Sequence, residues 1–299
     1  MRRWLILCCA AGLAACDRGG AKTEFSGETA LEYVRTQLLF GPRVPGTIGH
    51  QRAGDWIVQQ MRERADTVIV QSFTHVTASG DTLPLRNILA RYNPGATERI
   101  LYVTHWDTRP VSDAAAEPAR QQLPVPGAND GASGTALLIA LGDVLRAQPP
   151  TVGVDLLFVD GEDYGDFAKR QDVLLGSTYF AEHLPSPDYQ PIFGVLWDMI
   201  GDANLQVVQE GYSVDRAPEV VNLVWETARE MGYSRYFVPR VGQPITDDHL
   251  PLLNAGLRVI DVIDYEYPPH HTPDDTLDKV SAASLQIVGD VAVQLLRRD

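Results

Sequence analysis

The chain has 299 residues, 44% hydrophobic and only 21% charged, which suffices for one large α/β domain or two small ones and excludes wholesale disorder. A formal net charge of −14, with no basic run longer than Arg297-Arg298, argues against a nucleic-acid partner. Cys8, Cys9 and Cys16 are the only cysteines, so the body of the chain has no internal disulfide, thiol nucleophile or cysteine zinc site.

Arg2 and Arg3 precede an apolar stretch over 4–15 that is too short to span a bilayer. It ends in Leu13-Ala14-Ala15-Cys16, which resembles the lipobox of bacterial lipoproteins. The resemblance implies cleavage before Cys16 and a diacylglycerol on its thiol. The domain would then be held to a membrane of the bacterial cell envelope, facing the periplasm or exterior. An ordinary signal peptide cut nearby is the alternative. Residues 1–15 are thus expected to be a leader, 16–25 a flexible polar tether and 26–299 a single domain.

In chain order, residues 26–40 place Ala30, Leu31, Val34, Leu38 and Leu39 at helical spacing behind a Ser26 cap. That helix is expected to stop in the Pro/Gly-rich 41–46. A second is expected over 50–64, with Ala53, Trp56, Ile57 and Met61 on one face. Residues 67–76 and 85–92 read as strands by their β-branched content and partial alternation, and 100–104 as a more continuously apolar one. The loop over 109–127 is long and polar and carries four prolines; loops of that length are often functional. Helices are then expected over 132–146, 177–183, 218–231 and 282–297, alternating with strands over 154–160, 193–197 and 257–263. This alternation predicts a single α/β domain whose mostly parallel, twisted sheet is flanked by helices on both faces.

The stretch 154–165, VDLLFVDGEDYG, organises the rest. Its apolar run 156–159 suits a strand buried on both faces, and Asp160, Glu162 and Asp163 follow at once around Gly161. Three crowded carboxylates repel one another, and a divalent cation with nearby donors would relieve them; a solvated acidic loop is the competing reading. Other polar residues recur where buried strands end. His105 and Asp107 follow 100–104, Asp198 follows 193–197, His270 and His271 follow 257–263, and Asp130 sits in a glycine-rich turn before a helix. Open α/β sheets bind ligands beyond the carboxyl ends of their strands, so the recurrence counts for more than any one residue. Imidazole nitrogen and carboxylate oxygen suit zinc, and a catalytic zinc keeps one position open. Asp107 stands two residues from His105, placed to orient its ring. Taken singly, His105 would read as a satisfied polar residue and Asp198 as a helix cap. His50, His75 and His183 lack acidic neighbours of this kind and are read as structural.

These motifs resemble the zinc aminopeptidase superfamily that also contains the animal-type glutaminyl cyclases. The resemblance runs from FGPRVPG at Phe40 to HTPDDTLDKV ending at Val280, and rests on the order HxD, GANDGASG, DGED, an Asp after a buried strand, and HT. It implies that superfamily's fold, with Asp130, Asp163 and His271 as ligands of a catalytic zinc and Glu162 as general acid/base. It also implies that His105 and Asp198 complete a second site in the two-zinc members, with Asp130 bridging. Where the family often has Glu-Glu, this chain has Glu162-Asp163; Asp is shorter but offers the same oxygen chemistry. The substrates implied are peptide or protein N-termini.

Two reactions share this skeleton. In an aminopeptidase, water attacks the N-terminal peptide bond and Glu162 takes its proton. In a glutaminyl cyclase, the substrate's own α-amine attacks the side-chain amide of an N-terminal glutamine. A glutamate shuttles the proton to the departing ammonia, and pyroglutamate results. The run Ile245-Thr246-Asp247-Asp248-His249 resembles a cyclase motif whose first aspartate, here Asp247, bonds with the counterparts of Glu162 and Asp198. LWDMIG over 196–201 and HWDTRP over 105–110 point the same way. A linked set of Glu162, Asp198 and Asp247 would share protons and raise one pKa toward neutrality, as a shuttle needs. A helix cap before Leu250 is the plainer reading of Asp247-Asp248. Against the cyclase, many animal cyclases have tryptophan before the zinc-binding histidine, where this chain has His270, leaving Tyr267 or Phe167 to supply an aromatic wall. The expectation is a zinc-dependent glutaminyl-peptide cyclotransferase using one zinc, with a two-zinc metallo-aminopeptidase as the alternative. Intact Glu162 and a full ligand set disfavour a binding module with a dead site. The absence of a GxSxG elbow around Ser133 disfavours a serine hydrolase.

Overall fold

Side-chain caps set the first two helices of the computed structural model, which describes residues 22–298. Ser26 accepts from Thr29 N at the start of α1 (Gly27–Leu38), and Thr47 accepts from His50 N at the start of α2 (Ile48–Arg62). The leader, Cys16 and most of the expected tether lie outside the described residues. The chain then runs through β1 (Thr67–Val76), β2 (Thr82–Tyr92), β3 (Arg99–His105), α3 (Ala132–Ala147), β4 (Gly153–Val159), α4 (Leu175–Glu182) and β5 (Phe193–Asp198). It continues with β6 (Val207–Gln209), α5 (Gly211–Arg216), α6 (Pro218–Glu230), β7 (Phe237–Val241), α7 (His249–Asn254), β8 (Val259–Ile263) and α8 (Ala282–Leu296).

Six strands form one sheet in the order β1-β2-β4-β3-β5-β8. Strands β4, β3, β5 and β8 run parallel, so their carboxyl ends gather along one edge. β2 is antiparallel to both β1 and β4. The expected mostly parallel sheet therefore carries an antiparallel hairpin at one side. Only residues 77–81 separate β1 from β2, far too few for a parallel crossover.

The four parallel strands are buried along their whole length, and alternate residues feed two cores. Ile100 and Tyr102 pack with α1, α2, α3 and α8, whereas Leu101 and Val103 pack with Phe180 and Leu252 on the opposite face. Each such aliphatic or aromatic side chain contributes about 1.5–3 kcal/mol. Gly134 lets the first turn of α3 lie against the strand ends, because a Cβ there would collide with Thr104 Oγ1 and the Trp197 carbonyl. That close approach carries Asp130, just before α3, to the carboxyl edge of the sheet.

Three short elements, β6, β7 and α5, were not expected, and α7 corresponds to the helix start before Leu250, the plainer reading of Asp247-Asp248. The two helices have six residues each, too few to display a helical period. Thr23 and Phe25, at the end of the expected tether, pack against α8. Thr23 N and Oγ1 lie 2.9 and 2.7 Å from Asp290 Oδ1, and Phe25 is buried against Gly289 of α8. Among the described residues, no helix is long and apolar enough to cross a membrane.

Candidate metal centre and active site

The parallel strands deliver their polar ends to one place. His105 closes β3, Asp198 closes β5, and Glu162 and Asp163 follow β4 after Gly161 turns the chain at φ +68°. His271 arrives on the loop after β8 in the left-handed region, φ +54°, with its carbonyl accepting from Ala114 N at 3.2 Å. Asp275 holds Asp130 in place by accepting from Asn129 N at 2.8 Å and Asp130 N at 3.1 Å.

His271 Nε2 lies 3.3 Å from Asp163 Oδ1 and 3.8 Å from Asp130 Oδ2. Asp130 Oδ2 and Asp163 Oδ2 are buried with no hydrogen-bond partner. Unpartnered buried carboxylate oxygens beside an imidazole are costly unless a cation completes them, and this donor set is one that zinc takes. Asp130, Asp163 and His271 carry donors of the kind zinc takes, but among the described residues Asp163 belongs to neither group whose ligand atoms all lie within 4.8 Å of one another. His270 adds a donor that sequence reasoning left unassigned: Asp130, His270 and His271 offer ligand atoms within 4.8 Å of one another.

His105, Asp130 and Asp198 form a second such group. His105 Nε2 sits 3.0 Å from Asp198 Oδ1 and 3.1 Å from Asp130 Oδ1. Burial pushes the His105 imidazole down, but the Asp198 charge and contacts with Asp107, Asp130 and Asp198 outweigh it and hold it well above its ordinary range. Asp130 is correspondingly depressed: burial raises it, while its contact with His105 and the charges of His105 and His271 lower it further. Asp107 Oδ1 lies 3.6 Å from His105 Nδ1, too far for the hydrogen bond its expected orienting role would use, and Nδ1 has no other hydrogen-bond partner. Asp107 instead accepts from Glu162 N at 3.1 Å and Asp163 N at 3.2 Å, which fixes the turn carrying both acids.

Above these residues opens a cavity of about 560 Å³ whose walls include Asp130, Glu162, Asp198, Asp247 and His271. Burial, followed by the charges of Asp247, Asp163 and Asp248, pushes Glu162 well above the usual carboxyl range. Asp247 is raised by burial and by Asp198 and Asp248. Among the described residues no hydrogen bond joins Asp247 to Glu162 or Asp198; its Oδ1 accepts from Asp248 N instead. The three expected carboxyls share one cavity and are coupled by charge rather than by direct bonds.

The sequence profile of peptidase family M28 matches residues 87–296. The chain belongs to that family. A glutaminyl cyclase from Bacteroides thetaiotaomicron, bound to N-acetylhistamine, superposes with a TM-score of 0.89 at 34% identity, covering 93% of this chain and 100% of that one. A leucine aminopeptidase precursor from the same species superposes with a TM-score of 0.90, also at 34% identity, covering 94% and 99%. Aminopeptidase YwaD of Bacillus subtilis is 25% identical over 259 residues, 80% of this chain and 48% of that protein. The chain thus spans about half the length of that relative. Both activities occur on this M28 scaffold, so the fold alone does not choose between them.

Within this M28 site several expectations change. Asp160 leaves the acid cluster: its Oδ1 lies 2.7 Å from His50 Nε2 and its Oδ2 accepts from Arg86 N, while the turn at Gly161 carries Glu162 and Asp163 away from it. His50 and His75 therefore do have acidic partners, Asp160 and Asp172, brought from distant sequence. Asp248 precedes α7 but makes no capping bond; Ser177 Oγ donates to it instead. Tyr267 is buried, with its hydroxyl on Asp275 at 2.7 Å, so the aromatic wall comes from Phe167 and Tyr265. Sequence reasoning missed Arg43, a buried cation donating to the carbonyls of Trp106, Pro126 and Gly127 beneath the site. Burial pushes it down to about 10 against the charges of Asp275, Asp130 and Asp107. The available signal was GPRVPG itself, where the arginine stands among prolines and glycines.

Proposed function

We propose that this chain is a zinc-dependent glutaminyl-peptide cyclotransferase, closing an N-terminal glutamine of peptides or proteins to pyroglutamate with release of ammonia. The observation that carries this reading is Asp247. It comes from a separate loop to sit buried beside Glu162 and Asp198 in the cavity wall, one carboxyl more than peptide hydrolysis requires. Zinc held by Asp130, Asp163 and His271 would polarise the γ-amide carbonyl of the substrate. Glu162 takes the proton that the α-amine loses as its nitrogen bonds to the amide carbon, and returns it to the amide nitrogen as that carbon–nitrogen bond breaks. Its raised proton affinity suits a group that must hold the proton between those events. Burial and the charges of Asp247, Asp163 and Asp248 sustain this affinity, and Phe167 and Tyr265 wall the glutamine side chain from water.

One observation favours a two-zinc aminopeptidase: the compact second group of His105, Asp130 and Asp198. Incubation with a Gln-initiated and a Leu-initiated peptide, followed by mass spectrometry, separates the readings. Chelator-sensitive loss of ammonia from the Gln peptide alone is expected. Release of the first residue, above all from the Leu peptide, would make the enzyme an aminopeptidase. The proposal includes a lipid anchor on Cys16 at the bacterial cell envelope, supported by the Leu13-Ala14-Ala15-Cys16 motif and checked by the mass of the mature N-terminus.

A further inference from the structure

Arg109 opens the long loop after β3, and its side chain is almost wholly buried. The guanidinium forks. Nη1 donates to Asp163 Oδ1 at 2.7 Å, while Nε and Nη2 hold the two oxygens of Asp113 at 2.8 and 2.7 Å. Asp113 Oδ1 in turn lies 3.6 Å from His271 Nδ1, the ring nitrogen opposite the one beside Asp130 and Asp163. Phe167 covers the guanidinium at 5.6 Å. Arg109 and Asp113 thus reach two of the three residues assigned to zinc.

From this geometry we infer that Arg109 and Asp113 are a positioning pair. Arg109 holds Asp163 through Oδ1, the oxygen 3.3 Å from His271 Nε2, which keeps the carboxylate from rotating to offer the metal both oxygens, while the charge of Asp113, 3.6 Å from Nδ1, steadies the His271 ring. The ligand set then stays at three protein donors with a position open for substrate. The inference rests on Asp130, Asp163 and His271 being the zinc ligands. A carboxylate free to rotate can chelate through both oxygens and fill the position substrate needs. A guanidinium fork spans Asp163 and Asp113 together, which the point charge of a lysine cannot do. Charge alone acts in the opposite direction, since deleting a cation beside a metal site should tighten metal binding.

The test uses the full chain stripped of metal. Zinc affinity is read by competition with a chromophoric chelator, and geometry by the visible absorption of the cobalt(II)-loaded protein, intense at four-coordinate sites and weak at higher coordination. R109M should bind zinc about 10–100-fold more weakly and show a weakened cobalt band, with R109K between it and wild type. R120A cuts the exposed Arg120–Asp274 pair, which ties the same long loop to the segment after β8, and should match wild type in both measurements. R109M with wild-type or tighter zinc binding and an unchanged cobalt band overturns the inference. So does R120A behaving like R109M, because the pair would then only brace the loops. If R109M fails to fold, R109K and D113N carry the same comparison. A wild-type chain that binds no zinc, or D163N that binds it normally, overturns the metal-centre reading and this inference with it.

Discussion

Two buried histidine–carboxylate clusters meet at Trp106, and they are finished to different degrees. In one, His50 lies 2.7 Å from Asp160 Oδ1, Arg86 N donates to Asp160 Oδ2, and the His50 ring stacks on Trp106 at 4.3 Å and 14°. Both oxygens of Asp160 are satisfied. In the other, His105 Nδ1, Asp130 Oδ2 and Asp163 Oδ2 have no partner at comparable burial. Asp160 and Asp163 leave the same strand end, parted by the turn at Gly161. A closed cluster braces the fold, whereas an open one stores the desolvation cost that a ligand relieves.

The largest expected effect comes from disarming the open cluster. E162Q should lower kcat about 10²–10⁴-fold while the protein stays folded and keeps its zinc, as ammonia release and metal analysis would read. Activity within tenfold of wild type would remove Glu162 from the chemistry. D160A attacks the closed cluster and should do the reverse. It leaves His50 buried without its partner, so stability should fall by about 2–4 kcal/mol in denaturant titration, with kcat per folded molecule near wild type. A kcat loss as deep as that of E162Q would erase the distinction between the clusters.

The open cluster was largely legible in the sequence because each of its members follows a continuous apolar run or a glycine-rich turn. His105 after 100–104 and Asp198 after 193–197 needed only the rule that such runs end at one edge of a parallel sheet. The closed cluster was not legible. His50 sits on α2 and Asp160 lies 110 residues later, and nothing local announces that they meet. Arg109 hid for a related reason: its long side chain folds back onto Asp163, 54 residues away, from a loop whose prolines suggested only irregularity. The antiparallel edge escaped because a strand's composition does not state its direction, and α5 because six residues show no period.

A third buried carboxylate lies between the extremes. Asp264 accepts from Gln206 N at 2.8 Å, and burial, with the charges of Asp202 and Glu266, pushes it from 3.8 up to about 7. The folded chain therefore holds this proton more tightly than the unfolded chain between those values. Its contribution to stability is complete below about pH 4 and is lost as pH rises through 7. D264N keeps an acceptor for Gln206 N without the charge. It should gain about 1–3 kcal/mol over wild type at pH 8 and little at pH 4, measured by denaturant titration at both. A loss at pH 8 would mean that the carboxylate is paired after all, like Asp160, and an equal gain at both values would mean that its titration does not set the difference.

The smallest effect tests whether the two clusters are independent. Trp106 stacks on His50 and stands in sequence between His105 and Asp107, and its Nε1 donates weakly to the Arg86 carbonyl at 3.4 Å. W106F keeps an aromatic face for His50 but gives up that bond and some packing volume. Stability should fall by about 1–2 kcal/mol, with kcat unchanged within twofold. The backbone of Trp106, which Arg43 holds through the carbonyl at 3.0 Å, does not depend on the indole, so His105 and Asp107 should keep their places. A tenfold loss of kcat at unchanged zinc content would show instead that the closed cluster sets the geometry of the open one, and the two would have to be treated as a single network.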